Sequence, residues 1–136
     1  MKTIVVADVM KTKVNFVDRM ATVSEALSSM ENIETKCLIV NKRNDNDELG
    51  IVIISDIARK VLALDRSPDR VNVYEVMTKP IISVRKDMDI RYCARLFSNF
   101  HISRSAVVDE GKVIGIVSYT DMVIKGLCKI SGHCLI

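Results

Sequence analysis

The sequence predicts a mixed α/β (α+β) fold, in which one β-α-β-β-α unit occurs twice and the two copies pack with pseudo-two-fold symmetry. Three observations carry this expectation. Short motifs recur in the same order. Val9-Met10 returns as Val76-Met77 after 67 residues, and Cys37-Leu38-Ile39-Val40-Asn41 returns as Ser105-Ala106-Val107-Val108-Asp109 after 68. Gly50-Ile51-Val52 with Asp56 returns as Gly115-Ile116-Val117 with Asp121 after 65. Second, the offset drifts where turns differ, at Asn44-Asp45-Asn46-Asp47 in the first copy and near Phe100-His101-Ile102 in the second. Third, 49% of the 136 residues are hydrophobic and only 4% aromatic, so the core is aliphatic. One copy of about 60 residues would bury that surface poorly on its own.

The elements follow in order. A strand is expected over Val14 to Asp18. Thr22-Val23-Ser24-Glu25 is a capping box: Thr22 accepts an orphan amide and Glu25 reaches back, so a helix begins there. Its apolar positions Val23, Ala26, Leu27 and Met30 share one face. Cys37 to Val40 and Leu49 to Ile54 read as strands about an Asn/Asp turn, and a helix opens through Ser55-Asp56. The polar stretch 65–72 sets the boundaries: repeat one over 4–66, a linker at 67–72, repeat two over 73–130 and a tail at 131–136. In the second copy a strand spans Ile81 to Val84. A helix follows the acids Asp87 and Asp89, with Ile90, Cys93, Ala94 and Phe97 inward. Strands Ala106 to Val108 and Val113 to Val117 flank the hairpin signal Asp109-Glu110-Gly111-Lys112, and the last helix opens through Thr120-Asp121.

Composition excludes several function classes. A net charge of +3, from 20 basic and 17 acidic residues without an aromatic-interleaved basic run, argues against nucleic acid. No apolar stretch approaches the roughly 20 residues that cross a bilayer. The apolar start Ile4-Val5-Val6-Ala7 meets Asp8 too soon for a signal-peptide core, which predicts a cytoplasmic protein with no membrane association. The four cysteines, Cys37, Cys93, Cys128 and Cys134, show no C-x-x-C spacing. Cys37 and Cys93 read as small core hydrophobes. Cys128, His133 and Cys134 could suggest zinc but read better as a tail, so no metal site is expected. No nucleophile has a His and acid partner, and neither G-x-x-x-x-G-K-[ST] nor G-x-G-x-x-G occurs, so no enzyme is expected.

The duplicated motifs resemble those of the cystathionine-β-synthase (CBS) repeat family over about residues 4 to 130. The resemblance rests on Asp8-Val9-Met10, Glu75-Val76-Met77-Thr78-Lys79-Pro80 and Arg104 through Asp109. It rests also on Gly50-Ile51-Val52-Ile53-Ile54-Ser55-Asp56 and Gly115-Ile116-Val117-Ser118-Tyr119-Thr120-Asp121. It implies a tandem pair, a stand-alone regulatory module binding an adenosine nucleotide in the cleft between repeats. In the family's closing motif the Asp takes the ribose hydroxyls and the Ser/Thr contacts phosphate. The chemistry agrees, since a carboxylate accepts from two hydroxyls at once and a helix N-terminus suits phosphate. The second copy matches fully with Gly115, Ser118 and Asp121. By resemblance its pocket adds Ser103, Arg104 and Ile116, with Met10, Lys11 and Asn15 from the opposite copy. The first copy has Asp56, but Ile53 stands where the hydroxyl belongs. Its site, with Lys36, Thr78 and Ile82, is therefore expected to be weaker.

Other readings stand beside these. A Ser/Thr–Asp pair at a helix start is often just an N-cap. Arg104 and Lys11 read equally as surface charges, His101 as a surface turn residue, and Tyr92 and Tyr119 as packing rings. The expected function is sensing of AMP, ADP, ATP, NAD or S-adenosylmethionine, with output to a regulated enzyme or transporter or through self-assembly. No prosthetic group is expected. The alternative is a structural, dimerising module without a physiological nucleotide. Apolar positions Val61, Leu62 and Leu64, with Met122, Val123 and Leu127, exceed what a small core needs and predict a homodimer of four repeats in a flat disc.

Overall fold

The computed structural model describes residues 3–131. In chain order the elements are α1 (Val6–Val9), β1 (Phe16–Val17), α2 (Val23–Ser29), β2 (Cys37–Val40), β3 (Gly50–Ile53) and α3 (Ile54–Ile57). They continue with β4 (Ser83–Val84), α4 (Ile90–Phe100), β5 (Arg104–Asp109), β6 (Lys112–Ser118), α5 (Tyr119–Asp121) and α6 (Cys128–Ser131). Single 3₁₀ turns lie at Ile33–Thr35 and Val73–Glu75. Beyond α3 and α5 the helices widen to i→i+5 bonding over Ala58–Leu62 and Met122–Leu127. None of the described helices is long and apolar enough to cross a membrane.

The chain forms two compact units, and their division differs from that of the sequence repeats. One unit is continuous, Val14–Ile81; the other joins the segment ending at Lys13 to the chain from Ile82 onward. Each contains a three-stranded sheet of the same design. β1 runs parallel to β2, which is antiparallel to β3; β4 runs parallel to β5, which is antiparallel to β6. On the free edge of each sheet sits one residue from the lead-in of the other repeat. Thr78 pairs with Ile51, and Lys11 pairs with Ile116.

In the continuous unit the capping box forms as the sequence predicts. The Glu25 amide donates to Thr22 Oγ1 at 3.1 Å, and the Thr22 amide donates to Glu25 Oε1 at 3.2 Å. Val23 and Ala26 are buried, but Leu27, within the seven-residue α2, is exposed. Val71, within the predicted linker, is buried, and its carbonyl accepts from the Val23 amide at 2.8 Å. Val73 and Val76 join it in a core with Leu38 and Val52.

In the discontinuous unit Asp89 caps α4 by accepting from the Arg91 amide at 2.8 Å. Ile90, Cys93 and Phe97 are buried on its inner face, against Ile4, Val6 and Val9 from the lead-in segment. Burial pushes the Cys93 thiol up to about 11. His101, exposed and left-handed at φ 54°, ends the helix. Glu110 and Gly111, both at positive φ, make the two-residue turn between β5 and β6.

Three expectations need correction. The opening strands are two residues long rather than four or five, because pairing with the neighbouring strand extends over two positions. The closing helices begin after Ser118 and Ile53, two residues before the predicted starts. Val61 and Met122 are buried in the core, so only Leu62, Leu64, Val123 and Leu127 of the predicted apolar set stay exposed.

Candidate functional site

Strand β6 is buried over its last four residues and delivers Ser118 to the point where the chain turns into α5. Ser118 keeps extended backbone, so its side chain can serve the first turn of the helix. The Asp121 amide donates to Ser118 Oγ at 3.2 Å, and Ser118 Oγ donates to Asp121 Oδ2 at 3.0 Å. The Ser118 amide adds a longer bond to the same oxygen at 3.3 Å. Ser118 and Asp121 therefore form a capping box, and both are buried.

The other carboxylate oxygen faces a cation. Lys11 Nζ donates to Asp121 Oδ1, and Lys125 Nζ stands 3.7 Å from that oxygen, one helical turn on. Asp121 is 3% exposed whereas the Lys11 side chain is 24% exposed, so the pair joins a buried anion to a solvent-reachable cation. Lys11 is placed by its backbone. Its amide donates to the Ile116 carbonyl at 2.9 Å and its carbonyl accepts from the Ile116 amide at 2.8 Å.

The structure thus brings Ser118, Asp121, Lys11 and Ile116 together. Met10 packs beside them, half-buried against the core. Arg104 begins β5 directly opposite Ser118. The carbonyl of Ser103, an exposed residue, accepts from the Tyr119 amide at 3.1 Å. Tyr119 packs edge-on against Phe97, with ring centroids 5.4 Å apart. Asn15 belongs to the continuous unit, where it is buried and its amide is fully used. It donates to the Asn32 carbonyl at 2.7 Å and Thr35 Oγ1 at 3.0 Å, and accepts from the Asn32 amide at 2.9 Å.

The first-copy set is arranged differently. No side chain caps α3, because Ile53 stands at the cap. Asp56 instead takes Arg59 Nη2, three residues along the same helix, and that arginine side chain is 67% exposed. Lys36 sits at left-handed φ 57°, and its carbonyl accepts from the Ile54 amide at 3.0 Å. Thr78 holds the edge of β3 through two backbone bonds to Ile51, at 2.9 and 2.8 Å. Ile82 belongs to the discontinuous unit, where its carbonyl accepts from Ser105 Oγ at 2.6 Å.

Sequence reasoning missed Arg59 and Lys125, although the spacings Asp56/Arg59 and Asp121/Lys125 are those of ion pairs on a helix face. Among the described residues no cluster of three or more His, Cys, Asp or Glu could hold a metal ion. His133 and Cys134 lie outside the described residues.

Comparison with known proteins adds the following. A family model described as the CBS domain matches residues 6–63 and 73–125. A hexameric CBS-CP12 protein from bloom-forming cyanobacteria is 32% identical, with a TM-score of 0.87 over 97% of this chain and 76% of that one. A CBS domain pair solved with 5′-methylthioadenosine and S-adenosyl-L-methionine is 25% identical. Its TM-score is 0.72 over 88% of this chain and 97% of that one. An uncharacterised protein of Methanopyrus kandleri is 35% identical over 82 residues, 59% of this chain and 42% of its own. The chain spans less than half the length of the curated relatives it matches.

Proposed function

This chain belongs to the CBS domain family, and on that premise we propose that it is a regulatory ligand-sensing module, not an enzyme. Its ligand is an adenosine compound held at Ser118 and Asp121. AMP, ADP, ATP, NAD and S-adenosylmethionine all fit this reading. The signal passes to a partner protein or through self-assembly.

One observation carries the reading. Asp121 is a buried carboxylate whose Oδ1 is met by the partly exposed ammonium of Lys11 rather than by backbone donors. A ribose diol can take that position, because a carboxylate is purely an acceptor and each ribose hydroxyl is a donor. The adenosine ligands of the solved pair described above support the same class. The asymmetry between copies supports Asp121 over Asp56, since Ile53 removes the hydroxyl and Arg59 claims the first carboxylate.

The test is a calorimetric panel of adenine nucleotides against wild type, Asp121→Ala and Asp56→Ala. Asp121→Ala is expected to weaken binding by at least roughly tenfold, as ligand hydroxyls left without an acceptor cost about 1–3 kcal/mol each. Asp56→Ala is expected to change it little. Dominance of Asp56 would assign the working pocket to the other copy.

A second reading is a dimerising module without a physiological nucleotide. It is favoured by the capping bonds between Ser118 and Asp121, which are complete without a ligand. A wild type that binds no member of the panel would select it.

A further inference from the structure

We infer that Lys11 is a built-in competitor for the Asp121 carboxylate, making the site prefer anionic adenosine compounds over neutral ones; this rests on the nucleoside reading of Asp121 given above. Both carboxylate oxygens already have partners: Oδ2 the Ser118 hydroxyl and amide, Oδ1 the Lys11 ammonium. The Ser118 bonds lie within one helical turn and cap it, so they stay when a ligand arrives. A ribose diol that seeks the carboxylate must therefore displace Lys11.

Lys11 cannot withdraw far. Its amide and carbonyl are both bonded to Ile116, which anchors its Cα at the edge of β6. The displaced ammonium swings on its four-carbon stem and remains at the site. Lys125 Nζ, 3.7 Å from the same oxygen, already supplies a second positive charge. Two ammonium groups then face one carboxylate that has turned to the ribose. A ligand phosphate offsets that surplus through charge-assisted hydrogen bonds, whereas a neutral nucleoside leaves it unanswered.

The first copy shows the same arrangement without this device. Thr78 holds the matching edge position, with the same pair of backbone bonds to Ile51, and brings no charge. Asp56 pairs with Arg59 of its own helix instead. The cation from the lead-in segment is thus particular to Asp121, which makes residue 11 a determinant of specificity beyond its part in the scaffold.

The experiment measures binding of AMP, ATP, adenosine and 5′-methylthioadenosine by calorimetry to wild type, Lys11→Thr, Lys11→Gln and Lys11→Arg. Lys11→Thr installs the residue type found at the matching place, and Lys11→Gln supplies a second neutral variant should the first fail to fold. Wild type is expected to bind AMP at least about tenfold more tightly than adenosine, the worth of one charge-assisted contact. The neutral variants are expected to bind adenosine several-fold more tightly than wild type, and the AMP-to-adenosine ratio is expected to fall to about threefold or less. Lys11→Arg keeps the discrimination. A ratio unchanged in the neutral variants, or a wild type preferring the neutral nucleosides, overturns the competitor role and leaves the nucleoside site standing. If neither wild type nor a neutral variant binds any of the four compounds, the nucleoside reading fails and this inference falls with it.

Discussion

Gly115 lies so close to Lys11 that a Cβ added to it would stand 2.7 Å from the Lys11 carbonyl oxygen, and equally close to Met10 Sδ. The contact explains the glycine: the lead-in segment crosses the sheet edge where any side chain would collide with backbone. The matching Gly50 is less confined, with Met77 Sδ at 3.0 Å and the Thr78 carbonyl at 3.3 Å.

Gly115→Ala is therefore expected to destabilise the protein by about 1–3 kcal/mol, the usual range for overpacking, and Gly50→Ala by less. Thermal melts of the two variants check the ranking. Equal losses would show that Lys11 moves aside freely.

Ser118→Ala removes the cap and strips one oxygen of a buried carboxylate of its hydroxyl partner. The expected loss is about 1–2 kcal/mol in urea denaturation, more than for Thr22→Ala at the more accessible capping box of α2. A larger effect at Thr22 would mean that burial of Asp121 adds nothing to the cap.

Asp47 gives a prediction about acid. Lys79 Nζ stands 2.6 Å from its Oδ1 and Arg43 Nε 3.1 Å from its Oδ2. The hydrogen bond from Lys79, followed by those from Arg43, holds the carboxyl well below its ordinary value of 3.8. The folded state thus binds the proton more weakly than the unfolded chain. The stabilisation is complete above about pH 4 and is lost as pH falls below that. Asp47→Asn is expected to be less stable than wild type near neutral pH, with the difference narrowing toward about pH 2.5. Urea midpoints at several pH values test this, and a constant difference would contradict it.

Self-association is expected through Leu62, 77% exposed, and Val123, 52% exposed, on the closing helices. Light scattering at tens of micromolar should return a homodimer for wild type and a monomer for the variant carrying Leu62→Glu and Val123→Glu. A monomeric wild type would count against the interface.

What the sequence made legible was local or repeated. The Thr22–Glu25 box announces itself through four adjacent residues, and duplication exposed the order of strands and helices. Ser118 and Asp121 stand together in the motif that carries the resemblance, but the helix start reads there as Thr120-Asp121, two residues after the Ser118 cap. The Ser-x-x-Asp spacing carried that signal, although the adjacent Thr120 also looks like a cap. The placement of Val61 and Met122 in the core was not legible. On a short helix an apolar residue facing the sheet and one facing outward differ by a rotation that the widened turns after Ile57 and Asp121 alter. The role of Asn15 was hidden too, because the carbonyls and hydroxyl that hold its amide come from the turn before β2 and from the first residue of that strand, 17 to 22 residues away.

The discontinuous unit also sets an order for synthesis. Every residue of the continuous unit Val14–Ile81 is present once residue 81 has been made. Lys11 must wait through 110 further residues for Asp121, on the order of ten seconds at ordinary translation rates. Ile4, Val6 and Val9 wait at least until Val84 and Ile90, with which they share a core, have been made. The lead-in segment is thus made well before the core that it completes.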